Sequence, residues 1–228
     1  MNNYDDLRAY YAQCFSEIDV FHFNSSISES VFNDYNNDLT GKIIPISHYG
    51  IKDNRERKKF NNDCLKIGFI GSLAPYKGYP TLYKVLQDIN KEQDWRLDVW
   101  GNKVGTDTML PIFFRGKFSS NDLSSIFYDM DVLVVPSIWK ETFGFVVLEA
   151  LSYGTPVIVS DYVGAQDLVK EYDDRFIYHS DNELRELLEE LLDNRTALIE
   201  FNHKLCSSKW NHSMISHTKD IIEKIYGV

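Results

Sequence analysis

Residues 131–160 read Asp131-Val-Leu-Val-Val-Pro-Ser-Ile-Trp-Lys-Glu-Thr-Phe-Gly-Phe-Val-Val-Leu-Glu-Ala-Leu-Ser-Tyr-Gly-Thr-Pro-Val-Ile-Val-Ser160. Two apolar runs, 131–136 and 155–160, enclose a segment that leads into a helix closed by Gly154. Strands apolar on both faces are covered on both faces, which is the habit of a parallel sheet between helices. The pattern repeats outward. Leu65–Ile70 reads as a strand ending in Gly71, Tyr79–Ile89 has helical periodicity, and Arg96–Trp100 is a second strand followed by Gly101. Residues 182–226 read as helix in two or three pieces, broken near Asp193-Asn194 and around Trp210–Ser213. Upstream, Asp19–Asn24 suits a short strand, Ser25–Tyr35 a helix, and Lys42–Ile46 another strand ended by His48-Tyr49-Gly50. The polar run Lys52–Asn62 predicts a solvated linker. The expected class is α/β.

The chain has 228 residues, enough for a sizeable core without metals or disulfides. With 24 Lys and Arg against 34 Asp and Glu, its net charge of −10 argues against a nucleic-acid binder, whose footprint is basic. No apolar stretch reaches the ~18–20 residues needed to span a bilayer, and the N-terminus lacks the pattern of a signal peptide. Cys14, Cys64 and Cys206 have no metal-ligand spacing and cannot all pair, so no metal site is expected and the plain reading is a reducing, cytoplasmic home.

Two segments carry chemistry. Gly71-Ser-Leu-Ala-Pro-Tyr-Lys-Gly78 joins a strand to a helix, where ligands of open parallel sheets bind and where a helix N-terminus offers N–H groups to phosphate. Lys77 would add a full positive charge, although a turn with Gly and Lys is by itself ordinary. In the second segment Glu149 lies among Phe145, Val146, Leu148, Ala150 and Tyr153 on a helix face expected to be buried. A carboxylate there needs hydrogen bonds, and a ribose diol would supply two. Glu141 precedes it by eight residues. Were the interval fully helical, the rise would be about 12 Å, enough to run from a ribose past a diphosphate to a sugar. Gly144 would let a ligand approach the backbone. A plainer reading stands beside this one: Glu141 favours the helix N-terminus electrostatically, and Glu149 caps a neighbour or pairs with a lysine.

These residues resemble the retaining glycosyltransferases of family 4, also called group 1, in the C-terminal, donor-binding half of their GT-B fold. Glu141 to Glu149 reproduces the Glu-x7-Glu signature, framed by Pro136-Ser137, Phe143-Gly144, Leu148-Glu-Ala150 and Gly154-Thr-Pro-Val157. Gly71-Ser-Leu-x3-Lys-Gly78 is similar to the family's Gly-Arg-Leu-x3-Lys-Gly loop, and Tyr162-Val-Gly164 to Asp167 loosely to its Gly-Gly-x-x-Glu segment. The implied fold is a Rossmann-like parallel sheet with helices on both faces and a helical tail. The expected divisions are 1–51 as a remnant of the N-terminal acceptor domain, 52–64 as a linker, and 65–228 as the nucleotide-sugar-binding domain.

The resemblance implies transfer of a sugar from a nucleotide-diphosphate sugar to a glycan or lipid-linked acceptor in surface polysaccharide synthesis. It implies no cofactor and no metal. Glu141 and Lys77 are the implied catalytic residues. The donor would be held by Gly71, Ser72, Lys77, Arg115, Gly116, Lys117, Glu141, Thr142, Phe143, Gly144, Phe145 and Glu149, with Glu149 on the ribose and 115–117 along the base. Ser72 departs from the usual arginine and removes a cation from the diphosphate, which Arg115 is a candidate to replace. The resemblance implies an acceptor half that these residues do not supply, so a further domain or subunit is the expected partner and the chain alone is expected to be inactive. On this reading His48 is a turn residue. The implied location is cytoplasmic, including the inner face of the membrane. A non-catalytic interaction subunit is the alternative, and an epimerase or phosphorolytic enzyme of the same architecture a third reading.

Overall fold

The computed structural model describes residues 3–35, 39–61, 63–89, 94–101 and 104–227. An N-terminal unit comprises α1 (Asn3–Phe15), β1 (Phe21–Phe23), α2 (Ser26–Tyr35) and β2 (Gly41–Ile43), with β1 and β2 paired in parallel. The larger unit follows as β3 (Leu65–Ile70), α3 (Tyr79–Asp88), β4 (Trp95–Trp100), β5 (Val104–Thr106), β6 (Ile112–Gly116), α4 (Leu123–Asp129) and β7 (Val132–Val135). It continues with α5 (Phe145–Ser152), β8 (Val157–Ser160), α6 (Gln166–Lys170), β9 (Ile177–Tyr178), α7 (Asp181–Asp193), α8 (Thr196–Ser207) and α9 (Met214–Ile221). Its seven strands lie in the order β5-β6-β4-β3-β7-β8-β9, all parallel except β5 against β6.

The expected α/β architecture is present, and its physical basis is visible in the central strands. Val132, Leu133 and Val134 of β7 and all of β8 are buried, because helices cover both faces of the sheet. The C-terminal helices form where the 3.6-residue pattern predicts them. In α7, Leu184, Leu187, Leu188, Leu191 and Leu192 are buried, and Ser180 caps the N-terminus by accepting from the Glu183 N–H.

Most of the polar run after residue 51 is exposed, including Lys52, Asp53, Glu56, Arg57 and Lys59, but two of its cations are docked on the larger unit. The Arg55 side chain is 6% exposed and donates to the carbonyls of Leu205 and Ser208, with its guanidinium 4.9 Å from the Trp210 ring. The Lys58 ammonium donates to the carbonyls of Phe127 and Met130 at the end of α4. Asn202 locks the same stretch, accepting from the Lys58 N–H and donating to the carbonyls of Glu56 and Gly154. The charges lie inside because helix C-terminal carbonyls need donors. Burial lowers the Lys58 pKa to about 8.

Polar contacts seat the N-terminal unit on the sheet's carboxyl edge. Asp167 accepts from the N–H and hydroxyl of Ser26 at 2.7 and 2.6 Å, capping α2 from the other unit. Ser25 donates to the Thr142 carbonyl at 2.5 Å, and His217 meets the Pro45 carbonyl at 2.9 Å. The cleft between the units is the setting of the site.

Candidate functional site

The loop after β3 tightens into a single 3₁₀ turn, Pro75–Lys77, because proline presets its first dihedral. Gly78 ends the turn at φ +76°, where a Cβ would lie 1.5 Å from the Pro136 carbonyl oxygen. Only glycine permits that approach. The approach brings the lysine loop onto the segment after β7, where the Tyr76 carbonyl accepts from the Ile138 N–H at 3.0 Å and the Ser137 hydroxyl at 3.1 Å.

Glu141 is pinned by its backbone. Its N–H donates to the Tyr162 carbonyl at 2.9 Å, and its own carbonyl accepts from Gly164 at 2.8 Å. A Cβ on Gly164 would come within 2.2 Å of the Thr142 carbonyl oxygen, so the two loops interlock. The Glu141 side chain is 14% exposed, and its Oε1 accepts from Lys77 Nζ at 2.7 Å and the Ser137 hydroxyl at 2.6 Å. Gly144, at φ +100°, turns the chain into α5. Glu141 to Glu149 is therefore not one helix. With α5 starting at Phe145, the helical rise to Glu149 is about 6 Å rather than 12.

Glu149 is three-quarters buried, and among the described residues its carboxylate accepts no hydrogen bond. Burial raises its pKa accordingly. Its side chain pairs with no lysine among the described residues; His48 Nε2 lies 3.9 Å from Oε1.

A cleft of about 430 Å³ is lined by Lys77, Glu141, Thr142, Phe143, Gly144 and Phe145 from the predicted set. Asn24, Ile46, Tyr76, Trp139 and Lys140 complete the wall. Asn24 Oδ1 is buried without a hydrogen-bond partner. Lys140 adds a second cation, held 3.5 Å from Asp34. Asn24 and Ile46 join the wall only when the N-terminal unit meets the sheet, whereas Tyr76, Trp139 and Lys140 flank residues already singled out.

Gly71 and exposed Ser72 belong to the lysine loop, whereas the 115–117 stretch is elsewhere on the sheet edge. Gly116, at φ +85°, accepts the Gly101 N–H at 2.8 Å, and Lys117 is exposed. Arg115 lies two residues beyond Phe113, which pairs with Asp98, so strand alternation puts its side chain on the Asp98 face. Its Nε donates to Asp98 Oδ1 at 2.6 Å, while Arg96 holds the other oxygen at 2.9 Å. These groups border a separate cavity of about 480 Å³ beneath α4. Arg115 does not join Lys77.

The architecture is that of GT-B glycosyltransferases. A lipopolysaccharide outer core galactosyltransferase superposes with a TM-score of 0.75 at 17% identity, over 94% of this chain and 63% of that one. An Anabaena protein solved with UDP and glucose gives 0.69 at 18% identity, over 91% of this chain and 63% of that one. The chain belongs to the glycosyl transferases group 1 family, whose sequence model matches residues 50–206. Among curated relatives, a GDP-mannose-dependent alpha-mannosyltransferase of Mycolicibacterium smegmatis is 34% identical over 137 residues, 58% of this chain and 34% of that protein. The chain spans about a third or less of the curated relatives' own length, with coverages of 30%, 21% and 34%. Among the described residues no helix is long and apolar enough to cross a membrane.

Proposed function

We propose that the cleft binds a nucleotide-diphosphate sugar and that this chain is the C-terminal, donor-binding part of a retaining glycosyltransferase. The observation that carries the reading is the convergence of Lys77, Glu141 and the α5 N-terminus in one cleft, with Glu149 about one helical turn further on. An ammonium has three protons, and Glu141 engages one of them. The others, with the first N–H groups of α5, suit a diphosphate that gains charge as it leaves the sugar. Glu141 Oε2 faces sugar hydroxyls, and the Glu149 carboxylate accepts from the ribose. No metal or cofactor is assigned to this chemistry.

The acceptor side is assigned to a further domain or subunit that completes the N-terminal unit. A two-stranded parallel sheet is marginal alone, and Tyr4, Leu7, Tyr10 and Tyr11 of α1 and Tyr35 of α2 are about half exposed or more. A glycan or lipid-linked acceptor in surface polysaccharide synthesis, met in the cytoplasm or at the inner membrane face, is the reading consistent with the lipopolysaccharide neighbour. The second reading, a non-catalytic interaction subunit, draws on Ser72 and on the engagement of Arg115 by Asp98.

Calorimetry of the purified chain with UDP-, GDP- and ADP-sugars separates the two. Micromolar-to-millimolar binding weakened by Glu149→Ala supports the donor site; absence of binding to all three classes leaves the interaction subunit. Negligible transfer is expected until the acceptor part is supplied.

A further inference from the structure

His48 belongs to the turn that leads out of the N-terminal unit, and its ring is held from two sides. The Gly50 N–H donates to Nδ1 at 3.0 Å. A Cβ at residue 50 would lie 2.8 Å from His48 Cε1, so any larger residue there would displace the ring. The other contact is edge-on to Phe145, the first residue of α5, with ring centroids 5.2 Å apart at 69°. A backbone N–H can only donate, so Nδ1 is the acceptor nitrogen and the neutral ring carries its proton on Nε2.

That proton-bearing nitrogen is 3.9 Å from Glu149 Oε1. The separation exceeds a direct hydrogen bond, which ends near ~3.2 Å. It suits one hydroxyl lying between them, accepting from Nε2–H and donating to the carboxylate. The Glu149 carboxylate has room for that hydroxyl, since its side chain is 24% exposed and it accepts no hydrogen bond among the described residues. Thr142 and Phe143, just before α5, are anchored to Ser25 and Ala165 through their carbonyls, which fixes the approach to the helix.

We propose that His48 and Glu149 form a donor–acceptor clamp on one ribose hydroxyl, which makes His48 a specificity residue for ribonucleotide over deoxyribonucleotide donors. The inference rests on the donor-site reading above. It also gives the turn between the units a direct contact with the donor.

The test compares UDP, GDP and ADP with their 2′,3′-dideoxy counterparts by calorimetry on the full chain. His48→Phe keeps a ring against Phe145 but removes the donor; His48→Gln restores an N–H near Nε2. The wild-type chain is expected to prefer the ribonucleotide, His48→Phe to lose about tenfold of that preference, and His48→Gln to recover much of it. Undiminished preference in His48→Phe overturns the clamp while leaving the donor site standing. Binding of none of the three diphosphates overturns the donor site and the clamp together.

Discussion

Replacing Glu149 by alanine should separate binding from stability. The carboxylate is 24% exposed, accepts no hydrogen bond among the described residues, and has its pKa raised by burial. Its charge therefore opposes folding, and removing it relieves a cost. Alanine also favours helix by a few tenths of a kcal/mol, against some lost packing of the glutamate stem. Stability should stay within about 1 kcal/mol of the parent, or about 2–4 °C in Tm for a chain of this size. Binding should respond very differently. A hydrogen bond to a charged group contributes about 1.5–3 kcal/mol, and water entering the truncated site recovers part of two such bonds. The expected loss is about 2–4 kcal/mol, or about 30- to 700-fold in Kd. Calorimetry with the tightest nucleoside diphosphate, beside a thermal melt, measures both. A variant destabilised by more than about 2 kcal/mol with its Kd changed less than about threefold would refute the reasoning, because Glu149 would then be structural.

Lys77→Met should weaken a nucleoside diphosphate by about 10- to 100-fold while leaving the free nucleoside within about twofold, because the ammonium serves the diphosphate alone. It should also cost about 1–3 kcal/mol of stability, since Glu141, 14% exposed, then keeps only the Ser137 hydroxyl; equal losses for nucleoside and diphosphate would contradict the role. His212, 10% exposed and close to Arg55, has its pKa lowered to about 4. Between pH 6.5 and 4 the unfolded chain takes up a proton that the folded chain refuses. Stability should therefore fall as pH drops through that window, by up to about 3 kcal/mol, and His212→Phe should flatten the profile in urea titrations. Gly78→Ala should destabilise by more than about 2 kcal/mol and weaken nucleotide binding together, because the turn at φ +76° cannot stay against Pro136; an unchanged melt would contradict that packing.

The central strands and C-terminal helices were legible because each obeys one periodicity over enough residues. β7, β8 and the leucines of α7 need no tertiary information. β5 and β9, of three and two residues, carry too little pattern to be read and form only because the sheet edge accepts them. Within the largely exposed polar run, the docking of Arg55 and Lys58 was not legible for a different reason. Charge in a sequence signals water, but here helix carbonyls replace it. At the site, Lys77, Glu141 and Glu149 stood out from their places in the chain but took roles only from the family resemblance, and the break at Gly144 was not legible, because a positive φ is a backbone choice that glycine merely permits. Arg115 shows the limit most clearly. The pairing of β4 with β6, invisible in the sequence, puts Asp98 on the same face, where it engages Arg115 away from the lysine loop. His48 was legible only as a turn residue, since its relation to Glu149 joins positions 101 residues apart in the chain.

The central claim is that one cleft holds diphosphate and ribose at fixed places. A crystal structure of the chain with the UDP-, GDP- or ADP-sugar that binds best tests it most directly. The account predicts diphosphate oxygens within hydrogen-bond distance of Lys77 Nζ and the α5 N-terminus, and the ribose on Glu149. Density for the nucleotide in the cavity beside Arg96 and Asp98, with the Lys77 cleft empty, would contradict it.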